Sequence, residues 1–148
     1  TNIFGFALYY LYPAAPPWYV ALHGFEENFS IPGNEAGLAN FDRILGVSIF
    51  HGMYAKNANV FAAIPSLHAA YPLITLYFGL KKRLRIAKWL FFVLLVGIWV
   101  SAVYSRHHYI LDVILGALCA VVTIFIFEKI VLRSWINNWL NRYTEAIR

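Results

Sequence analysis

Long apolar stretches make up most of this chain, and the breaks between them mark its elements. Residues 1–12 (TNIFGFALYYLY) are apolar and stop at Pro13. They read as the end of a helix, because a crossing helix needs about 20 residues. Between Lys56 and Lys81 lie 24 uncharged residues, punctuated by Pro65 and Pro72. Proline suits the first turn of a helix and disrupts its interior. A helix is therefore expected from about Pro65 to Leu80, kinked at Pro72. Residues 89–105 are uncharged for 17 positions and reach spanning length with their flanks. Residues 113–127 are uncharged again. A last helix is expected from His108 to Leu132, ended by Glu128, Lys129 and Arg133, with a polar amphipathic tail after it.

Residues 13–60 follow a different pattern. YPAAPPW cannot be the interior of a helix, and SIPGNEAG is turn-like. Ala36 to Ala55 carries apolar residues at helical spacing with few charges, so it is expected to lie in the membrane interface as an amphipathic helix. The whole reads as one all-α, integral membrane helical domain, 1–148, a piece of a longer protein that carries earlier helices. In this reading 13–60 is an extracytoplasmic, interfacial segment and 65–132 holds the helices that carry chemistry.

Composition sharpens the class. Hydrophobic residues are 61% and charged residues 13%, against about 25% charged in soluble domains. Mean hydropathy is +0.60. This argues against an ordinary water-soluble globule and, more firmly, excludes a disordered chain and a disulfide scaffold; the single Cys119 sits inside an apolar run. The net charge of +5 does not point to nucleic acid. Five of the 12 basic residues lie in KKRLRIAK, 81–88, between two apolar runs. Such a loop marks the cytoplasmic side. Two spans later Lys129 and Arg133 return to that side, which puts the Pro65 and His108 ends outside the cytoplasm.

That topology brings two polar clusters to one edge: Pro65-Ser66-Leu67-His68 at the start of one helix, and Ser105-Arg106-His107-His108 with Asp112 at the start of another. Ionisable groups at a membrane boundary are functional candidates. On a helix His108 and Asp112 share a face. A carboxylate on one ring nitrogen fixes the tautomer and frees the other nitrogen as nucleophile or base. Ser101 joins that face if the helix runs through. Pro65 leaves the amides of Ser66 and Leu67 at a helix N-terminus, which suits phosphate oxygens. Two histidines, a carboxylate and an arginine fit phosphoryl transfer, with one His attacking phosphorus and the other protonating the leaving oxygen.

AAIPSLHAAYP and HHYILDVILGAL resemble the second and third motifs of the type 2 phosphatidic acid phosphatase superfamily, Pro-Ser-x-His and Ser-Arg-x5-His-x3-Asp. PSLH, HHY and YPAAPPW resemble the branch containing inositol phosphorylceramide synthases. The resemblance runs from about Tyr9 to Gly116. It implies the C-terminal part of a six-helix membrane bundle, a phosphohistidine intermediate, and neither metal nor cofactor. The implied substrate is a lipid phosphate of phospholipid, sphingolipid or polyprenyl type, met among membrane lipids. Carried over residue by residue, His108 is the nucleophile, Asp112 its orienting carboxylate and His68 the acid; Ser66 and Ser101 contact phosphate. Two departures stand out. The arginine of the third motif falls on Ala102, with Arg106 as a substitute candidate. No Lys or Arg precedes Arg43 to supply the first motif.

Plainer readings stand beside these. Arg106 is equally an interface anchor. His107 is expected to face away from His108, at the rim. His23 and His51 read as interfacial, and Trp18, Trp89, Trp99, Trp135 and Trp139 as belt or packing residues. The alternatives to an enzyme are a membrane protein binding haem or metal through His68 and His108, and an inactive scaffold.

Overall fold

The computed structural model describes residues 1–56, 59–130 and 135–147, and the helix end expected at Leu132 and Arg133 lies outside them. All regular elements among the described residues are helical. The helices are α1 (Asn2–Leu11), α2 (Pro17–His23), α3 (Ala39–Leu45), α4 (Ile49–Tyr54), α5 (Leu67–Lys81), α6 (Ala87–Tyr104), α7 (Ile110–Lys129) and α8 (Trp135–Ala146).

Helix α5 is the centre of the molecule and packs along both α6 and α7, which barely touch one another. The α5–α7 contact is made by small residues. A Cβ on Gly116 would stand 2.1 Å from the Ser66 carbonyl oxygen and 3.2 Å from the Ala69 Cβ. Leu67, Ala70 and Ala120 form a buried cluster beside that contact, with Tyr9, Leu73 and Ile74 packed on it. In hydrocarbon, where water drives nothing together, such close backbone approach is the main source of helix association. The outward faces of α6 and α7 are apolar and exposed, among them Val93, Val100, Ile114 and Phe125. Both helices, 18 and 20 residues long, are long and apolar enough to cross a membrane.

Pro72 lies inside α5. Proline cannot donate to the carbonyl four residues back and crowds that turn. In the same turn the Trp99 indole N–H reaches across from α6 to the Ala69 carbonyl, 3.1 Å away. Trp99 is thus a packing residue with a defined partner. At the far end the Lys81 ammonium pairs with the Glu128 carboxylate, tying α5 to α7.

Residues 13–56 and 59–60 form a cap over the starts of α5 and α7. YPAAPPW stays extended until Pro17, the first residue of α2, and Ala14 bridges to Ala62. Trp18, Tyr19, Val60 and Phe61 make the cap's own core. The single amphipathic helix expected over Ala36–Ala55 is instead a 3-10 turn (Ala36–Leu38) followed by α3 and α4. Two residues cause the break. Gly46 takes the left-handed conformation, φ 65°, that closes α3. The buried Asp42 carboxylate then accepts the amides of Phe50 (3.2 Å) and His51 (2.9 Å), which holds the first turn of α4.

Candidate active site

Each polar cluster sits where a helix begins. Ser66 caps α5, its hydroxyl accepting the Ala69 N–H at 3.3 Å. Its own amide donates to the Asp112 carbonyl at 3.0 Å, so that amide is not available to phosphate. Leu67 and His68 open the helix, where amides have no partner within it. Helix α6 ends at Tyr104, and the amides of His107 (3.1 Å) and His108 (3.0 Å) both turn back to the Ala102 carbonyl. Arg106 makes this reversal with a left-handed backbone, φ 62°. Helix α7 then starts at Ile110, two residues later than expected, with Tyr109 as its cap. The Asp112 carboxylate accepts the Tyr109 N–H at 2.8 Å, and the Asp112 N–H returns to the Tyr109 carbonyl at 3.1 Å.

The two turns bring His68 and His108 together from 40 residues apart. His68 Nδ1 lies 3.4 Å from His108 Nε2, with ring centroids 5.6 Å apart. The other nitrogen of His108, Nδ1, donates to the Ala63 carbonyl at 3.1 Å. A carbonyl only accepts, so Nδ1 carries the proton and Nε2 presents its lone pair. Asp112 Oδ2 stands 3.5 Å from the same Nδ1. The carboxylate is thus a charged neighbour of that nitrogen, while the Ala63 carbonyl is its hydrogen-bond acceptor. No side-chain motif could have named that carbonyl, since it belongs to the backbone just before Pro65. His108 (6% exposed) and Asp112 (1%) are buried, whereas His68 is open to the cavity before it.

That cavity has a volume of about 610 Å³. On the α1 and α5 side its wall is aromatic and apolar: Phe6, Tyr9, Tyr10, Leu67 and Tyr71. Helix α1 is held there by the Tyr9 hydroxyl on the Pro65 carbonyl (2.9 Å) and the Tyr71 hydroxyl on Asn2 (2.6 Å). On the cap side the wall carries Trp18, Asn34, Tyr54, His107 and His108. None of its described lining residues is Lys or Arg.

His107, expected to face away, lies in this wall and is buried. It precedes the helix, so the helical wheel does not apply to it. Its Nδ1 pairs with the Ser105 hydroxyl at 2.9 Å, and its ring lies against Tyr54, centroids 4.4 Å apart. Burial, and then the neighbouring His108, push its pKa down to about 4. Burial likewise raises the Tyr54 hydroxyl.

The remaining candidates fall elsewhere. Ser66 is fully buried beneath the cavity. Ser101 is exposed on the outer face of α6; the turn at 105–109 stops the helix from carrying it round to His108. Arg106 lines a neighbouring cavity of about 540 Å³ with Tyr104 and Asn40, and Trp18 and Asn34 are walls to both cavities.

The model of the PAP2 superfamily matches residues 1–126. A phosphoinositol dihydroceramide synthase of Bacteroides thetaiotaomicron is 47% identical over 153 residues, covering 100% of this chain and 49% of that protein. The inositol phosphorylceramide synthase of Candida albicans is 35% identical over 136 residues, 86% of this chain and 27% of the relative. The catalytic subunit of the same enzyme from Saccharomyces cerevisiae is 33% identical over 129 residues, 86% and 32% respectively. The chain therefore spans about half the length of the bacterial relative and a third or less of the fungal ones. No solved structure gives a significant match.

Proposed function

The chain belongs to the PAP2 superfamily, and from that premise we propose that it carries the histidine centre of a membrane lipid phosphotransferase. The reaction is transfer of a phospho-headgroup from a phospholipid to a lipid hydroxyl. One observation carries this reading: His68 and His108 face each other at 3.4 Å in a cavity whose other wall is apolar. An amphiphile fits such a space with its phosphate at the rings and its chains along α1 and α5. The relatives' names, phosphoinositol dihydroceramide synthase and inositol phosphorylceramide synthase, favour a phosphoinositol donor and a ceramide-like acceptor.

In the first half-reaction His108 Nε2 forms a bond to phosphorus while the bond from phosphorus to the diacylglycerol oxygen breaks. His68 gives its proton to the departing oxygen. In the second, the acceptor hydroxyl passes its proton to His68, its oxygen bonds to phosphorus, and the N–P bond breaks. His108 keeps the Nδ1 proton throughout, donated to the Ala63 carbonyl, and the Asp112 carboxylate 3.5 Å away offsets the positive charge that attack creates. In-line displacement sets the attacking nitrogen and the leaving oxygen on opposite sides of phosphorus. A bound phosphate must therefore wedge the two rings further apart than 3.4 Å. The Leu67 and His68 amides at the start of α5 supply donors for its oxygens.

The loop at 82–86 lies at the end of α5 and α6 remote from the histidines. With the basic run on the cytoplasmic side, the protein crosses the membrane several times and its centre works at the extracytoplasmic face. The test is His108→Ala in the full-length protein. Transfer from phosphatidylinositol to ceramide is expected to fall at least about 10³-fold, together with loss of an acid-labile, base-stable phosphoprotein. Wild-type turnover in that variant would overturn the assignment.

A further inference from the structure

The histidine cavity is lopsided, and its polar end holds groups that the phosphoryl chemistry leaves unused. His107 Nε2 is buried and makes no hydrogen bond of full geometry; the Asn34 backbone carbonyl is its polar neighbour. The ring is nevertheless fixed on two sides, by the Ser105 hydroxyl at Nδ1 and by the Tyr54 ring against its face. Asn34 spends its side-chain oxygen on the Ala36 amide, 2.6 Å away, which leaves its NH₂ as a donor. Trp18 is 5% exposed and offers an aromatic edge or face to the same space. The cap segment is clamped over this end by two main-chain hydrogen bonds. Trp18 N–H donates to the Arg106 carbonyl at 3.0 Å and Gly37 N–H to the Ser105 carbonyl at 3.1 Å. A Cβ on Gly37 would come within 2.8 Å of Ser105 Cα, so the two backbones are in contact there.

We propose that Trp18, Asn34, Tyr54 and His107 form a subsite for a polyhydroxylated ring, the headgroup esterified to the phosphate that His108 attacks. The inference rests on the phosphotransferase reading and says where the non-reacting part of the donor sits. Three features select hydroxyls over charge. The wall has fixed hydrogen-bonding groups and an aromatic surface, the composition suited to a ring with polar edges and apolar C–H faces. It includes no cation among the described residues, so it does not duplicate phosphate binding. A neutral imidazole offers one donor or one acceptor, which is what an alcohol can answer in either sense. A buried polar group without a partner is costly, and a ligand hydroxyl on Nε2 relieves that cost.

The test uses the full-length protein in detergent and two soluble probes, inositol 1-phosphate and inorganic phosphate, with binding followed by calorimetry. Wild type is expected to prefer inositol 1-phosphate. His107→Gln and Asn34→Ala should each weaken that ligand about tenfold, the size of one lost hydrogen bond, and leave inorganic phosphate unchanged. Tyr54→Phe, which keeps the ring against His107, should retain most of the preference. Equal loss of both ligands in His107→Gln and Asn34→Ala, or an unchanged preference in both, would overturn the subsite. The readout needs no turnover. A protein that prefers inositol 1-phosphate while His108→Ala stays active therefore sinks the mechanism and spares the subsite, and the reverse result does the opposite.

Discussion

The helical trio α5–α7 and the cap over it each supply one side of the same cavity, and they are held by different forces. The trio is held by close packing of small residues and by main-chain bonds at helix starts, and it carries His68 and His108. The cap has a modest core and several glycine turns. It stays in place through side chains and amides that reach the 105–108 turn, and it supplies Trp18, Asn34 and Tyr54 to the cavity wall. On the proposed reading, chemistry is anchored in the part with least freedom, while recognition falls to a segment whose loops can change without disturbing the helices.

If that division is right, damage to the trio should cost more than damage to the cap. The largest effect beyond His108 itself is expected for Asp112→Asn, about 10²-fold or more in turnover, with correct insertion confirmed by detergent-resistant folding. Equal rates for Asp112→Asn and wild type would leave the Ala63 carbonyl as sufficient support for His108. Next comes Gly116→Ala. Its methyl would collide with the Ser66 backbone, and backbone cannot swing aside as a side chain can. A loss of about 1–3 kcal/mol is expected, read as a lower melting temperature together with reduced turnover.

The cap should respond in another currency. Gly37→Val pushes against Ser105 and is expected to raise KM for the phospholipid donor several-fold, with kcat and helix content little changed. A fall in kcat alone would blur the contrast between the two regions.

pH gives a finer test. His107 has its pKa lowered to about 4, against about 6.5 in an unfolded chain, so the folded form resists protonation. Between those two values the unfolded form binds more protons, and stability falls as pH drops through that window; above about 6.5 His107 contributes no pH dependence. Nitrogen-15 spectra of labelled histidine should show His107 neutral at pH 5.5. A charged ring there would mean the cap lifts more easily than its contacts imply. The smallest effect is expected for Trp99→Phe, which removes one hydrogen bond to Ala69 and should cost about 1 kcal/mol with activity retained.

Much of the trio was readable from residues alone, because apolar length, prolines at helix starts and the Pro-Ser-x-His and His-x3-Asp spacings are local signals. The expected helix boundaries for α5 and α6 differ from the observed ones by two residues or fewer. Most of the readings that failed assumed that a helix continues; the Ser66 amide, expected to be open to phosphate, is instead taken by the Asp112 carbonyl. Ser101 joins the face of His108 only if one helix winds through 101–112, and His107 faces away only if it lies on the helix of His108. The left-handed Arg106 ends that winding, and an arginine gives no warning of such a turn, as a glycine would. Over Ala36–Ala55 the warning was present: Gly46 stands mid-pattern, where helices close. The Ala63 carbonyl and the amides that hold the cap had no signature at all, since main-chain groups are the same in every residue.

The bond from the Ser66 amide to the Asp112 carbonyl has one more consequence. It joins two helices through atoms that no ordinary substitution removes. The lipid-facing sides of α5 and α7 can therefore be remodelled for bilayers of different thickness or fluidity while the register between the two imidazoles stays as it is.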